Sequence, residues 1–428
     1  MGLSDNGHGG ILPLQMQYNY YQRPPVPEAK SFSWVKLALI VLPLIVVVFV
    51  SFTWLHHHKK TTPARTHSTA HSQSNSPDIS LVATGDWIAH DSVNAAAKQA
   101  DGSYDYLPMV NDFTSTFKRS DIRFCNDPIL NGGESLGITG YPKFNSPTDF
   151  VTDMGKFGCN LVNTASNHSF DFTQANITNS VDAWSTVPNM LAVAGENRSQ
   201  QEHDTVHYFT VKGVKFAFLA YAGYINTDAP VQNDYGVNVF SKDFAASQIA
   251  AAKQNGAKFI IVSMRWGTEY STGVNAQQTD DAQFLADQGV NLILGHGSHE
   301  LQPVAQLTGS SGIKTLVWYS LGNFLNTQEP PETLFNGLAG MTINAKTLEI
   351  SQIKYSPIYM HYEWTAAQAA ADNTNARNNL HLYPFAKATQ ALIDAQQLKT
   401  TPAAQQQRMQ TTLNADGLNI PLVSLNQL

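Results

Sequence analysis

The chain has few charged residues for its length and no excess of basic ones. Of its 428 residues, 14% are Asp, Glu, Lys or Arg, and the formal net charge is -7. Nucleic-acid-binding domains present a basic face, so this balance predicts no nucleic-acid partner. The hydrophobic content of 43% is ordinary for a folded protein, and a chain of this length can hold one large domain with appendages.

Cysteine is almost absent, since the sequence contains only Cys125 and Cys159. Two cysteines do not make a disulfide framework. Both lie in apolar, strand-like runs, where a buried free thiol is common. An extracellular location would also permit a bond between them. Buried free cysteines are the favoured interpretation, and a disulfide is the alternative.

One long run lacks charge altogether. Residues 37–55 read LALIVLPLIVVVFVSFTWL, which is 19 residues. As a helix this run would span about 28 Å, close to the roughly 30 Å of a bilayer's hydrocarbon core. A cleavable signal peptide is the weaker alternative, because a long arm precedes the run and no small-residue cleavage site follows it. The sequence thus predicts a single-pass anchor in the cytoplasmic membrane.

Composition divides the chain into five segments. We expect a disordered cytoplasmic tail at 1–36, a transmembrane helix at 37–55, a flexible linker at 56–78, an α/β domain at 79–360 and an Ala/Gln-rich helical appendage at 361–428. Strand-like and helix-like runs alternate from Ile79, which is typical of an α/β domain. Basic residues are balanced across the predicted span, so charge counting alone does not orient it.

Five short polar clusters each follow an apolar, strand-like run. They occupy residues 85–86, 126–127, 166–168, 265–270 and 295–299. In an α/β sheet, ligands bind beyond the carboxyl ends of the strands, so these clusters are expected to converge on one sheet edge. Asp, Asn and His are ligands of hard or borderline divalent metals. The clusters together therefore predict a metal site.

In this order the clusters resemble the CapA family, capsule-synthesis proteins associated with poly-γ-glutamate that share the calcineurin-like metallophosphatase architecture. The resembling stretches include ATGDWIAHD at 83–91, SDIRFCNDPIL at 120–130, FGCNLVNTASNHSFDF at 157–172 and LADQGVNLILGHGSHELQPV at 285–304. The resemblance implies a sandwich of two sheets flanked by helices, here behind a single transmembrane helix. It also implies a cell-membrane protein with its large C-terminal domain extracellular.

The function implied by the resemblance is the synthesis, export or attachment of poly-γ-glutamate or a related anionic capsule polymer. The expected partners are the cytoplasmic membrane and the capsule polymer or its synthesis and export complex. The expected cofactor is a divalent metal, Mn, Zn or Fe. Metallophosphatase-like sites use such ions to activate a bridging water.

Site roles follow from the resemblance and from residue chemistry. The expected metal ligands are Asp86, Asn126, Asp127, Asn167, His296 and His299. His168 is the candidate general acid and Asp171 its orienting carboxylate. The expected substrate contacts are Arg265, Trp266, Glu269 and Asn323. A core position for Trp266 and an ion pair between Glu269 and Arg265 are open alternatives.

The fourth cluster departs from the family pattern, because its His-Trp-Gly element reads Arg265-Trp266-Gly267 here. Arginine cannot ligate a metal, so one metal position should be weakened or empty, leaving a single site. Arg265 could instead clamp a carboxylate or phosphate. Two alternative functions stay open: a metal-dependent envelope hydrolase of phosphoester or amide bonds, and a non-catalytic module that binds an anionic polymer.

Overall fold

Two β-sheets packed face to face form the centre of the computed structural model, which describes residues 78–226 and 234–428. The first sheet has the strand order β14-β13-β12-β1-β2-β3-β4, and β11 pairs with the far end of β1. Its strands are β1 (Ile79–Trp87), β2 (Ile122–Asn126), β3 (Leu161–Asn163), β4 (Ala192–Ala194), β11 (Asn323–Leu325), β12 (Gly337–Ile343), β13 (Ile350–Glu363) and β14 (Asn378–Pro384). Strands β1 to β4 run parallel, so their carboxyl ends lie at one edge.

The second sheet has the order β5-β6-β7-β8-β10-β9. Its strands are β5 (His207–Val211), β6 (Val214–Ala222), β7 (Phe259–Arg265), β8 (Leu292–His296), β9 (Val304–Thr308) and β10 (Lys314–Trp318). Strands β6, β7, β8 and β10 are parallel, and β5 and β6 form a hairpin as their sequence predicts.

Helices flank the two sheets. They are α1 (Asp91–Ala97), α2 (Leu107–Phe117), α3 (Thr148–Phe157), α4 (Gln174–Ser185), α5 (Gln200–His203), α6 (Lys242–Gln254), α7 (Ala276–Asp287), α8 (Pro331–Leu334), α9 (Ala366–Ala370), α10 (Gln390–Ala395) and α11 (Pro402–Leu413). Helices α6 and α7 each begin after an N-cap side chain: Ser241 accepts from the Phe244 amide, and Asn275 accepts from the Gln278 amide. These caps stop the first turn from leaving buried amides unpaired.

Alternating side chains along the strands build three apolar layers. Leu81 and Phe124 of the first sheet meet Phe218 and Ile261 of the second in the central layer. The next residue in each strand points outward, so that Val82 packs with the helices on the first sheet and other side chains pack with α6 and α7 on the second. The result is a helix–sheet–sheet–helix sandwich, as expected from the sequence.

The fold-class prediction is wrong in its second part, the transmembrane helix, and the cell-membrane localisation is corrected with it. No helix within residues 78–226 and 234–428 is long and apolar enough to cross a membrane. The longest, α6, has 13 residues and spans about 20 Å, well short of a hydrocarbon core. The range predicted for the span, 37–55, and the predicted tail and linker lie outside the described residues.

Cys125 and Cys159 form a disulfide, which corrects the favoured interpretation of two free thiols. Cys125 lies in β2 and Cys159 stands just before the neighbouring strand β3. Their Cα atoms are 5.8 Å apart, within the usual range for a disulfide. Pattern reading places each cysteine in a strand but does not give the register that brings the two together.

The C-terminal region shares in the first sheet. The predicted boundary between residues 360 and 361 falls inside β13, and β14 pairs antiparallel with that strand. Helices α9, α10 and α11 occupy parts of the rest of the region, in which helices were expected.

Candidate functional site

The polar clusters converge, but where the carboxyl ends of two sheets meet and not on one edge of a single sheet as predicted. Asp86 lies at the end of β1, Arg265 ends β7 and His296 ends β8, and all three side chains are buried. Oδ1 of Asp86 lies 3.6 Å from Nδ1 of His296 on the other sheet. The first sheet thus supplies an acid to this junction and the second supplies bases.

Asp86 is the centre of this group. Its Oδ1 accepts a hydrogen bond from Asn126 Nδ2 at 2.7 Å, and its Oδ2 lies 3.3 Å from His299 Nδ1. The latter contact is an ion-pair distance and not an aligned hydrogen bond, since His299 Nδ1 lies closer, 3.0 Å, to Asn323 Oδ1. Burial raises the pKa of Asp86, but His299, His296 and Arg265 together hold it below its usual value. Asp86 is therefore an ionised carboxylate held by basic neighbours.

Two amides continue this network across the first sheet. Asn126 Nδ2 donates to Asp86, and Asn126 Oδ1 accepts from Asn163 Nδ2 at 2.5 Å. Asn163 also binds the Ala165 backbone, accepting from its amide and donating to its carbonyl. The oxygen of Asn126 is therefore already occupied, and the amide acts as a donor toward Asp86.

Arg265 donates a hydrogen bond to the side-chain oxygen of Asn167, as Asn163 does to that of Asn126. Its Nε donates to Asn167 Oδ1 at 2.9 Å, and the Ser166 hydroxyl donates to the same oxygen at 3.0 Å. Gly297 makes room for the guanidinium, because a Cβ there would lie 1.8 Å from Arg265 Nη1. The residue that departs from the family pattern is thus built into the site and not left at its margin.

Glu269 pairs with Arg265, which was an open alternative from the sequence. Arg265 Nη2 donates to Glu269 Oε1 at 2.8 Å, and His299 Nε2 lies 3.9 Å from that same oxygen. Burial raises the pKa of Glu269, but the adjacent guanidinium outweighs it and lowers the pKa below the usual value. Arg265 Nη1 has no hydrogen-bond partner within the described part of the chain.

His296 is completely buried and stacks on Phe124, with ring centroids 5.2 Å apart. Burial lowers its pKa to about 4, so the ring is neutral at neutral pH. Neither ring nitrogen finds a hydrogen-bond partner among the residues that the structure describes.

His168 and Asp171 form the predicted pair. Nδ1 of His168 lies 2.7 Å from Asp171 Oδ2, which also accepts from the Phe144 amide at 2.8 Å. The His168 ring lies edge-on to Phe144, with centroids 4.8 Å apart. A carboxylate on Nδ1 fixes the ring and its tautomer, which leaves Nε2 as the atom able to exchange a proton.

Asp127 does not join Asp86. It directly follows Asn126, which donates to Asp86, and consecutive residues at a strand end face opposite sides of the sheet. Its Oδ2 accepts from Asn131 Nδ2 at 2.7 Å and from Trp184 Nε1 at 3.0 Å. Burial without a cation raises the pKa of Asp127 to about 7. This carboxyl group lies under helix α4, away from the sheet junction.

Of the remaining predicted residues, Trp266 lies in the core and Asn323 lies in the site. Trp266 is buried in the core of the second sheet, where its Nε1 donates to the Tyr319 carbonyl at 2.8 Å. Asn323 joins the site through His299 and donates from Nδ2 to Gln328 at 2.8 Å. A substrate contact by Asn323 stays a prediction.

A pocket of about 500 Å³ opens onto this junction. The residues lining it include Asn167, His168, Arg265, Glu269 and His299 from the predicted set, and His90, Tyr141, Phe144, Tyr270 and Arg377 from outside it. Sequence reasoning missed the contribution of residues 372–377, because that region carries no recognisable motif. It also missed Asn163, which ends a short apolar strand and gave no separate signal.

Hydrogen bonds within the site engage part of the predicted donor set, while Asp86 Oδ2 and both ring nitrogens of His296 have no hydrogen-bond partner among the described residues. The oxygens of Asn126 and Asn167 accept hydrogen bonds within the site, and Asp127 faces away. His299 Nδ1 donates to Asn323, which leaves Nε2 as the ring nitrogen able to act as a ligand. Within residues 78–226 and 234–428, no three His, Cys, Asp or Glu side chains are grouped to hold an ion. The positive charge beside Asp86 is instead the guanidinium of Arg265.

Comparison with known proteins places these residues in a family context. The profile described as "Bacterial capsule synthesis protein PGA_cap" matches residues 80–328. The "PGA biosynthesis protein CapA" of Bacillus subtilis (strain 168) is 24% identical over 344 residues, covering 79% of this chain and 84% of that protein. The "Capsule biosynthesis protein CapA" of Bacillus anthracis is 24% identical over 301 residues, with 68% of each chain covered. These matches confirm the resemblance predicted from the five clusters.

Solved structures are similar to this chain at lower sequence identity than the CapA proteins. The calcineurin-like phosphoesterase YfkN from Bacillus subtilis has a TM-score of 0.37 and 14% identity, and the match covers 78% of this chain and 97% of that one. The 5'-nucleotidase precursor from Thermus thermophilus has a TM-score of 0.39 and 14% identity, covering 65% of this chain and 54% of that one. At these scores the likenesses carry no argument about activity.

Proposed function

Because the chain belongs to the bacterial capsule synthesis protein family PGA_cap, we propose that it handles poly-γ-glutamate or a related anionic capsule polymer during synthesis, export or attachment. The pocket at the sheet junction is the proposed binding site for a segment of that polymer. The polymer, or the complex that makes and exports it, would be the partner.

The observation that carries this proposal is the position of Arg265. Its guanidinium is buried and lines the pocket, with Nε and Nη2 bonded and Nη1 without a partner among the described residues. A buried donor without a partner costs about 1–3 kcal/mol, which a carboxylate oxygen would recover once a local shift opened the pocket wall to Nη1. A guanidinium also binds carboxylates through charge-assisted hydrogen bonds. The pocket therefore offers a fixed cation to an acidic repeat unit.

His168 adds a proton-transfer group to the same pocket. Asp171 holds Nδ1 of the ring, and His168 lines the pocket beside Arg265. A histidine held in this way can act as a general acid or base at Nε2. Bond cleavage or bond formation in the polymer at this position is thus chemically available and is part of the proposal.

Genetic complementation tests the function. In the native organism, deletion of the gene is expected to lower surface polymer and its glutamate content. The wild-type gene restores both, and Arg265→Ala does not, at equal protein abundance on an immunoblot. His168→Gln separates binding from proton transfer, because it leaves Arg265 in place. Unchanged polymer in the deletion strain would overturn the proposal.

A metal-dependent hydrolase is the second candidate, and the feature that favours it is His296, whose two buried ring nitrogens lack partners among the described residues. The full-length protein, supplied with Mn or Zn and then desalted, should retain well below one equivalent by mass spectrometry if the donor set does not fit. The Arg265→His variant, measured beside the wild type, adds a metal ligand at the position where the sequence departs from the family pattern. One tightly held equivalent in the wild type would favour the hydrolase.

A further inference from the structure

Two strongly exposed tyrosines line the pocket. Tyr141 is 73% exposed and Tyr270 is 51% exposed, and both belong to the pocket lining. Exposed aromatic area around a polar pocket is typical of a binding surface. Tyr270 is linked to the polar network around Asp86 through Gln328 and Asn323.

The loop that carries Tyr141 is firmly held. The Thr139 and Asn145 backbones pair across it, with N–O distances of 3.0 and 3.1 Å, and the Thr139 hydroxyl donates to the Lys143 carbonyl at 2.7 Å. Gly140 packs so closely on Asp91 that a Cβ would lie 2.5 Å from its carboxylate. Tyr141 is thus presented by a fixed turn, together with the exposed Lys143.

Tyr270 is held in an unusual backbone conformation. Its φ is 57°, a left-handed value that bulky residues rarely adopt, and its amide donates to the Ser298 carbonyl at 2.9 Å. Its ring lies 5.7 Å from the His299 ring. Gln328 Nε2 lies 3.3 Å from the phenol oxygen, and as its donor it leaves the phenol hydrogen able to donate elsewhere. Strain of this kind persists where the surrounding contacts enforce it.

We propose that Tyr141 and Tyr270 form an entrance clamp that binds the backbone of the anionic polymer at the pocket wall. This inference rests on the proposed function. Each repeat of poly-γ-glutamate has an amide, two methylene groups and a carboxylate. Tyrosine rings pack against the first two, and tyrosine hydroxyls donate to the third. Fixed tyrosines also lose little conformational entropy on binding.

The clamp predicts a dependence on chain length. The pocket alone accommodates a short anionic ligand through Arg265. A longer chain would contact the pocket and both tyrosines, so its affinity gains from the clamp. Substitution at the clamp therefore weakens binding of polymer by a larger factor than binding of monomeric glutamate.

The test is polymer binding by the full-length protein, measured by calorimetry with poly-γ-glutamate and with free glutamate. Tyr141→Ala and Tyr270→Asn are each expected to weaken polymer binding by about tenfold, the size of one aromatic contact. Asparagine tolerates the left-handed backbone of residue 270 better than most residues, which protects the fold. The phenylalanine variants retain the ring and should lose only about two- to threefold.

Leu136→Ala is the control, since Leu136 is 41% exposed near the same loop but does not line the pocket. It should bind polymer as the wild type does. Wild-type binding with unchanged affinity in both tyrosine variants would overturn the clamp and leave the proposed function standing. Equal loss for a neutral polysaccharide would also overturn it, because it would assign the tyrosines to sugar rings. No polymer binding by the wild type would count against the proposed function itself.

Discussion

Asp86 and Asp127 follow neighbouring parallel strands and are both completely buried, yet their pKa values shift in opposite directions. Asp86 is held below its usual pKa by His299, His296 and Arg265, against the effect of burial. Burial raises the pKa of Asp127 to about 7, because only neutral donors reach it. These basic side chains all come from the second sheet and its loops, so the chemical character of the site arises where the two sheets meet.

Of the substitutions considered, removal of Arg265 should lower the free energy of unfolding most. Arg265→Met leaves the buried Asp86 and the partly exposed Glu269 without their guanidinium, and truncating one partner of a buried charge pair costs about 3–5 kcal/mol. The free energy of unfolding in urea measures the loss. The control is Arg198→Met, since Arg198 is 40% exposed and its pairs with Asp182 and Glu202 should contribute under about 1 kcal/mol. Equal losses in the two variants would contradict the buried-pair interpretation.

Paired asparagine substitutions test the two carboxyl groups directly. Asp86→Asn removes a charge that three basic groups surround, whereas Asp127→Asn keeps an oxygen for Trp184 and Asn131. We expect Asp86→Asn to cost about 2–3 kcal/mol more than Asp127→Asn near neutral pH, since hydrogen bonds to charged groups are the stronger ones. Chemical denaturation of both variants in one buffer gives the difference. The reverse order would show that the second sheet does not stabilise Asp86.

A smaller loss of stability is expected from a substitution next to Asp127. Trp184→Phe removes the Nε1 donor that lies 3.0 Å from Asp127 Oδ2 and leaves Asn131 as its remaining side-chain donor. The loss should be about 1–2 kcal/mol, the cost of a buried hydrogen-bond partner. In the double variant with Asp127→Ala, which has no side-chain oxygen, the two losses should not add, because each single substitution removes the same contact. Full additivity, measured by thermal unfolding, would contradict that contact.

The weakest effect should appear only as the pH rises. Burial raises the pKa of Glu196 well above its usual value, and Asp127 adds to the shift. The native protein then keeps a proton that the unfolded chain releases near the usual carboxyl pKa, so stability falls as the pH rises above that value. Glu196→Gln should remove this fall, with little difference from the wild type at acidic pH. Melting temperatures of both proteins from about pH 4 to about pH 8 check it, and parallel curves would refute it.

The sequence predicted the convergence of the clusters because position after a strand is readable from the apolar runs. The same alternation explains the failures, since Asn126 and Asp127 are adjacent and therefore face opposite sides, as do Arg265 and Trp266. Contacts between distant strands could not be read in this way. The disulfide and the place of Asn163 both depend on the pairing of β2 with β3, which no local pattern gives.

The pocket wall at residues 372–377 has a consequence for the order in which the protein is made. Asp86 leaves the ribosome early, but its strand β1 also pairs with β12, and Arg377 comes later still. A nascent chain that stops near the end of the family match at residue 328 has the cluster residues without the strand partner or the wall. The binding site therefore forms late in translation, once nearly the whole chain is available to fold around it.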